Sequence, residues 1–295
     1  MNSSSPIGVF DSGVGGISVL RILRHDMPNE NYIFFGDSIH APYGDKPEAR
    51  IREMSDAAVQ FLLAHGCKAI VIACNTATSA AADWLRTKYP ELIIIGMEPA
   101  VKSAVDHAET KHPRVLVLAT ASTIHGERLH HLIGRFHDAA EIHPLAAPGI
   151  VPLVEAGKEN SDELLHYLQD LLRPFRKKED GGDGLLVDSV VLGCTHFPFA
   201  MEAIRNALGY DFTFYDGAYG TARETKRRLQ EAHLANASDD TGMITLYSSV
   251  PGQESVELQQ KLLDLPFTYA PKNLNAASTA DCPTRPLPDP YTIEQ

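Results

Sequence analysis

Ile70-Val71-Ile72-Ala73-Cys74-Asn75-Thr76 and, 120 positions later, Val190-Val191-Leu192-Gly193-Cys194-Thr195-His196 share one plan. Each is a β-branched apolar run ending in a small residue, a cysteine and short polar side chains, and each leads into a helical pattern. An apolar run of this length bounded by such residues predicts a fully buried strand of a parallel sheet. The cysteine then stands at the mouth of a strand, facing a helix start, where orphan amides and the helix dipole favour the thiolate. Two such thiols suit a reaction that removes a proton from one face of a carbon and returns it to the other, because that needs two bases.

Working outward, Ile7 to Phe10, Tyr32 to Gly36, Ala69 to Ile72, Leu92 to Gly96, Arg114 to Leu118 and Ser189 to Leu192 read as strands separated by helical stretches. Such alternation implies parallel sheets with crossover helices, whose ligands bind beyond the carboxyl ends of the strands. The loops after Phe10, Ala73, Leu118 and Gly193 are therefore the places to look. They also suggest an internal duplication: the Ile7 to Ser12 pattern matches Val115 to Thr120, as Ile70 to Thr76 matches Val190 to His196. The second span is longer by about the polar stretch 176–184. Two lobes built this way would set the cysteines across a shared cleft.

Within these loops, Asp11 opens Asp11-Ser12-Gly13-Val14-Gly15-Gly16. Its plainer role is a helix cap; its sharper one is a carboxylate at the strand mouth, with Ser12 and free amides binding an anion. The glycines do not make a dinucleotide fingerprint. Ala41-Pro42-Tyr43-Gly44 is a rigid turn. Thr120 and Thr123 are hydroxyls at a strand-to-helix turn, suited to capping or to anion binding. His196, two residues past Cys194, can assist that thiol. A zinc site on Cys74, Cys194 and His196 lacks any further ligand spacing. Glu155 reads as an ordinary helix residue, Cys67 as a structural cysteine and Cys282 as incidental.

Composition narrows the classes. A chain of 295 residues with 44% hydrophobic and 22% charged residues has room for two cored domains. A formal charge of -12 argues against nucleic acid or an anionic membrane as partner. No apolar run approaches the roughly 20 residues of a membrane span, and Met1 to Pro6 does not read as a signal peptide. Four scattered cysteines without a CxxC pair fit a reducing cytoplasm. From Pro271 the chain is rich in Pro, Ala, Asn and Thr and reads as a disordered tail.

Phe10 to Gly16 (FDSGVGG), Pro42 to Gly44 (PYG), Ala73 to Thr78 (ACNTAT) and Gly193 to Phe199 (GCTHFPF) resemble, in order and spacing, the bacterial glutamate racemases of the aspartate/glutamate racemase family. The resemblance runs from about Ile7 to Leu229. It implies two pseudo-symmetric doubly wound α/β domains with the active site between them: residues 1–98 with 211–270, and 99–210, followed by the tail 271–295. It further implies cofactor-independent racemisation of glutamate in the cytoplasm, with D-glutamate feeding peptidoglycan synthesis. The partner is then the small-molecule substrate, and a homodimer is a candidate assembly. Cys74 and Cys194 would be the acid/base thiols and Asp11 and His196 their helpers. Asp11, Ser12, Pro42, Tyr43, Gly44, Asn75, Thr76, Thr120, Thr123, Thr195 and His196 would bind the amino acid. Aspartate racemases are similar around both cysteines, and a non-catalytic amino-acid-binding protein on this scaffold would need the donors without the thiol pair. His143-Pro144, where the family often has Cys-Pro, and the insertion at Lys177 to Gly184 depart from the pattern.

Overall fold

A computed structural model describes residues 2–177 and 184–265. The predicted tail with Cys282, and most of the predicted insertion, lie outside the described residues. The described residues form nine strands: β1 Ile7–Asp11, β2 Tyr32–Gly36, β3 Ala69–Ile72, β4 Ile93–Gly96, β5 Arg114–Ala119, β6 Glu141–Ala146, β7 Ser189–Gly193, β8 Thr213–Asp216 and β9 Ile244–Ser248. They assemble into two sheets, ordered β4-β3-β1-β2-β9 and β6-β5-β7-β8. Every pairing is parallel.

The two sheets repeat one connectivity. In each, the first strand is flanked on one side by the second and on the other by the third, with the fourth outside the third; β9 is an addition beside β2. The chain thus reverses direction across the sheet between β1 and β3, and again between β5 and β7. Those reversals are the crevices where doubly wound sheets bind ligands. Cys74 and Cys194 follow β3 and β7, so each thiol sits at its sheet's switch point.

Alternation along the strands explains the layers. Val9, Val71 and Ile95 join one apolar cluster that continues through Leu116, Leu118, Val190 and Leu192 of the second sheet. Phe10, Ile70 and Ile72 point to the other face, under helices Glu48–Ala64 and Asn75–Lys88. Val115, Val117 and Val191 form the outer cluster of the second lobe. Cys67 packs in the first lobe's core, where burial pushes its thiol up to about 12. That is the structural role expected of it.

One boundary differs from the sequence reading. Thr213–Asp216 falls in the stretch 211–270 assigned to the first domain, yet β8 pairs with β7 in the second sheet, from Ser189 opposite Thr213 to Leu192 opposite Asp216. The chain returns to the first lobe only at Gly217, before helix Ala218–Glu231 packs on helix Ile17–Asp26 and on β4. At that crossing Gly217 is pressed so close to the outgoing connection that a Cβ would lie 2.3 Å from the Glu98 carbonyl oxygen. The two interlobe crossings therefore run side by side. Among the described residues no helix is long and apolar enough to cross a membrane.

Candidate active site

The carboxyl ends of both sheets open on a common cleft of about 280 Å3, counting space continuous with solvent. Asp11 ends β1 and is wholly buried behind the cleft's lining. Its Oδ2 accepts the Gly13 amide at 3.0 Å, and its Oδ1 accepts the hydroxyl of Thr195 from the other lobe at 3.0 Å. Burial outweighs these bonds and the nearby His196, and pushes the carboxyl up to about 6. Ser12 stands next on the wall and takes a hydrogen bond from the Cys74 thiol at 3.5 Å.

Cys74 is the N-cap of helix Asn75–Lys88, in extended backbone, with its sulfur accepting the Ala77 amide at 3.4 Å. The helix therefore starts at the thiol, as expected from strand, cysteine and short polar residues. The ionisation state differs from expectation. Burial first, then the Asp11 carboxylate, push Cys74 up to about 12, against the smaller opposing pull of Ala77 and Ser12. Desolvation, reinforced by the Asp11 carboxylate, beats the helix terminus here, and Cys74 rests as a neutral thiol.

Cys194 follows β7 and has a different partner. Its sulfur lies 3.8 Å from His196 Nδ1, and His196 Nε2 lies 2.5 Å from Glu155 Oε1. Burial alone would lower the imidazole, but Cys194 and Glu155 together raise it well above its usual 6.5. Burial alone would raise Glu155; hydrogen bonds from His196, from the Val14 amide at 2.7 Å and from the Ser38 hydroxyl at 3.1 Å hold it below its ordinary value. The row sulfur, imidazolium, carboxylate is a charged relay beside one thiol.

Glu155 is the residue that sequence reasoning passed over. It ends the short helix Ile150–Glu155, and the glycines of the β1 loop exist to admit it. A Cβ on Gly13 would sit 1.9 Å from Glu155 Oε1, and one on Gly15 would sit 2.3 Å from His196 Nδ1. The loop of one lobe thus lies flat against the acid–base pair of the other, which no side chain larger than hydrogen permits.

The opposite wall is neutral and rich in hydroxyls. Thr76 lies 3.1 Å from Thr120 and 3.4 Å from Thr123, and Thr120 donates to Thr123 at 3.0 Å. Thr120 also caps helix Ala121–His125 by accepting the Thr123 amide. Asn75 is buried on the cleft with neither side-chain polar atom bonded, an arrangement that awaits a ligand. Of the residues predicted to meet substrate, Ser12, Pro42, Tyr43, Gly44, Asn75, Thr76, Thr120, Thr195 and His196 line the cleft with both cysteines. Asp11 and Thr123 stand behind that lining and hold its hydroxyls. Val151 joins the wall unpredicted, and among the described residues no lysine or arginine is part of it. Among the described residues no group of three or more His, Cys, Asp or Glu is arranged to hold a metal ion.

The family model for Asp/Glu/hydantoin racemases matches residues 18–225. The glutamate racemase of Clostridium perfringens strain ATCC 13124 is 43% identical over 262 residues, 89% of this chain and 97% of that protein. The glutamate racemase of Bifidobacterium animalis subsp. lactis is 41% identical over 264 residues, covering 90% of this chain and all of that one. Among solved structures, Escherichia coli glutamate racemase in complex with L-glutamate and the activator UDP-MurNAc-ala is similar with a TM-score of 0.74 at 33% identity, over 88% of this chain and 95% of that one. The Thermus thermophilus enzyme in complex with beta-chloro-D-alanine gives a TM-score of 0.70 at 32% identity, over 89% and 94%.

Proposed function

The chain belongs to the Asp/Glu/hydantoin racemase family, and from that premise we propose that it interconverts L- and D-glutamate by a two-base mechanism on Cys74 and Cys194. The observation that carries this is the pair of thiols at matching switch points of two sheets, sharing one cleft. The named activities of the relatives and solved structures support glutamate as the substrate.

The two substrate carboxylates need donors, and the cleft has them without lysine or arginine. The free Asn75 amide, the Thr76 and Thr120 hydroxyls, and the orphan N–H groups at the helix starts suit the carboxylates. The substrate ammonium adds a positive charge beside that of His196, and so eases ionisation of a thiol. In one direction the Cys194 thiolate takes the α-proton, while the Cys74 thiol gives its proton to the opposite face. The α-carbon exchanges one C–H bond for another, Cys194 ends as thiol and Cys74 as thiolate. The other enantiomer runs the same exchange in reverse. His196, charged against Glu155, steadies the Cys194 thiolate, and Asp11 orients Thr195. A closed cleft excludes water, which strengthens every bond to the developing carbanion. The D-glutamate formed would feed peptidoglycan synthesis.

The test follows circular dichroism of L-glutamate and, separately, L-aspartate with the purified protein and no added cofactor. Loss of signal with glutamate alone is expected. Loss with aspartate alone would keep the chemistry and overturn the substrate. Silence with both, alongside calorimetric binding, would favour an amino-acid-binding protein. Cys74→Ser and Cys194→Ala should each lower kcat/KM by about a thousandfold, the scale of a lost acid or base. Complementation of a D-glutamate auxotroph by the wild type alone would tie the activity to the cell wall.

A further inference from the structure

The loop from β2 to helix Glu48–Ala64 brings Pro42, Tyr43 and Gly44 to the cleft and meets the second lobe twice. Near its start Ser38 donates to Glu155 at 3.1 Å, beside His196. Near its end Gly44 lies against the hydroxyl wall, where a Cβ would be 3.2 Å from Thr120 Cβ. The loop therefore spans the cleft from the charged relay to the neutral side.

Asp37, the first residue after β2, gathers that span. Its amide donates to the Asp11 carbonyl at 3.0 Å, which fixes it to the strand mouth. Its Oδ2 accepts the Tyr43 hydroxyl at 2.7 Å, and its two oxygens lie 2.9 and 3.0 Å from His40 Nδ1. Tyr43 is only 1% exposed, so without the carboxylate its hydroxyl is a buried donor with no acceptor. With its hydroxyl engaged there, Tyr43 offers the cleft its ring and backbone. Asp37 itself is not part of the lining.

We propose that Asp37 is a positioning residue for substrate binding: by holding Tyr43 and His40 together it keeps the 42–44 segment in its binding-competent shape. This rests on the cleft being a glutamate racemase site. A group that acts this way sets the fraction of molecules ready to bind, and apparent affinity falls by that fraction while the bound complex reacts as before.

The experiment measures KM and kcat for L-glutamate, and calorimetric Kd for D-glutamate, on the wild type, Asp37→Ala, Asp37→Asn, Tyr43→Phe and the Asp37→Ala/Tyr43→Phe double variant. Asp37→Ala should raise KM and Kd by about tenfold or more, as expected for one lost charge-assisted bond, with kcat changed less than about threefold. Asp37→Asn keeps an oxygen for the tyrosine hydroxyl and should recover most of the loss. The double variant should be no worse than the poorer single one, because both changes break the same bond. Unchanged KM and Kd in the alanine variant, or a fall in kcat alone, would overturn the proposal. Should the alanine variant fail to fold, Tyr43→Phe decides by the same KM and Kd criterion. A wild type that binds D-glutamate without turnover sinks the racemase reading while the Kd series still judges Asp37. A wild type that does neither overturns both.

Discussion

Asp11 shows what the site asks of the fold at the level of one side chain. A carboxyl displaced upward from 3.8 to about 6 by burial makes its ionised form a burden on the native state. The burden is absent below 3.8, grows across that interval and is complete above about 6, where it amounts to about 3 kcal/mol. Relative to the wild type, Asp11→Asn should therefore gain up to that much unfolding free energy on going from about pH 4 to about pH 8, by urea titration. An equal difference at both pH values would show that this carboxyl does not titrate there. Glu155 and His196 act in the opposite sense. The raised imidazole contributes stability below about 6.5 that is lost as pH rises through its folded value, and the lowered carboxyl contributes stability above about 4.5 that is lost as pH falls through its own. Glu155→Gln should flatten both arms of the stability profile and lower kcat/KM by about tenfold or more. Both cysteines, with their polar neighbours, were legible in the sequence because local order alone puts them at strand mouths. Glu155 was not, because its partners Val14, Ser38 and His196 are remote in the chain. One signal did exist: a glutamate closing a helix sits against the negative end of its dipole, which is unfavourable unless something cationic waits there.

Among elements, the strands that could be read were the most buried ones, the edge strand β4 included. β1, β3, β5 and β7 are buried along almost their whole length, so their sequences are continuous apolar runs. The edge strands β6 and β9 were missed: each is half-buried, and β6 carries Pro144, which an edge tolerates because one side of its ladder is unpaired. β8, another edge, was absorbed into the wrong lobe for the same reason. Helix Asn75–Lys88 adds a use for Cys74 that is independent of chemistry, since the sulfur caps the Ala77 amide. Cys74→Ala should lose that cap and about 1 kcal/mol of stability, while Cys74→Ser should keep both, although both variants should lose most of their turnover. Equal melting temperatures for the two would show that the sulfur bears no capping energy.

For the molecule as a whole, a formal charge of -12 opposes an anionic substrate at long range, while the donors proposed to hold it act only at close range. Screening should then help. Raising ionic strength from about 10 mM to about 150 mM shortens the Debye length from about 30 Å to about 8 Å, and KM for glutamate should fall. A KM that rises with salt would reveal a positive potential at the cleft mouth stronger than the net charge. The duplicated connectivity of the sheets carries a different kind of consequence, because the copies are not equal. Cys74 opens a helix of 14 residues and has an alcohol beside it, whereas Cys194 precedes a short 3-10 turn and has an imidazole. Mirror-image amino acids have the same free energy in water, so no unevenness between the two thiols can favour one enantiomer at equilibrium. The unevenness is confined to how each direction divides its efficiency: turnover number and half-saturation can each differ between the L and D substrates, and their quotients must match.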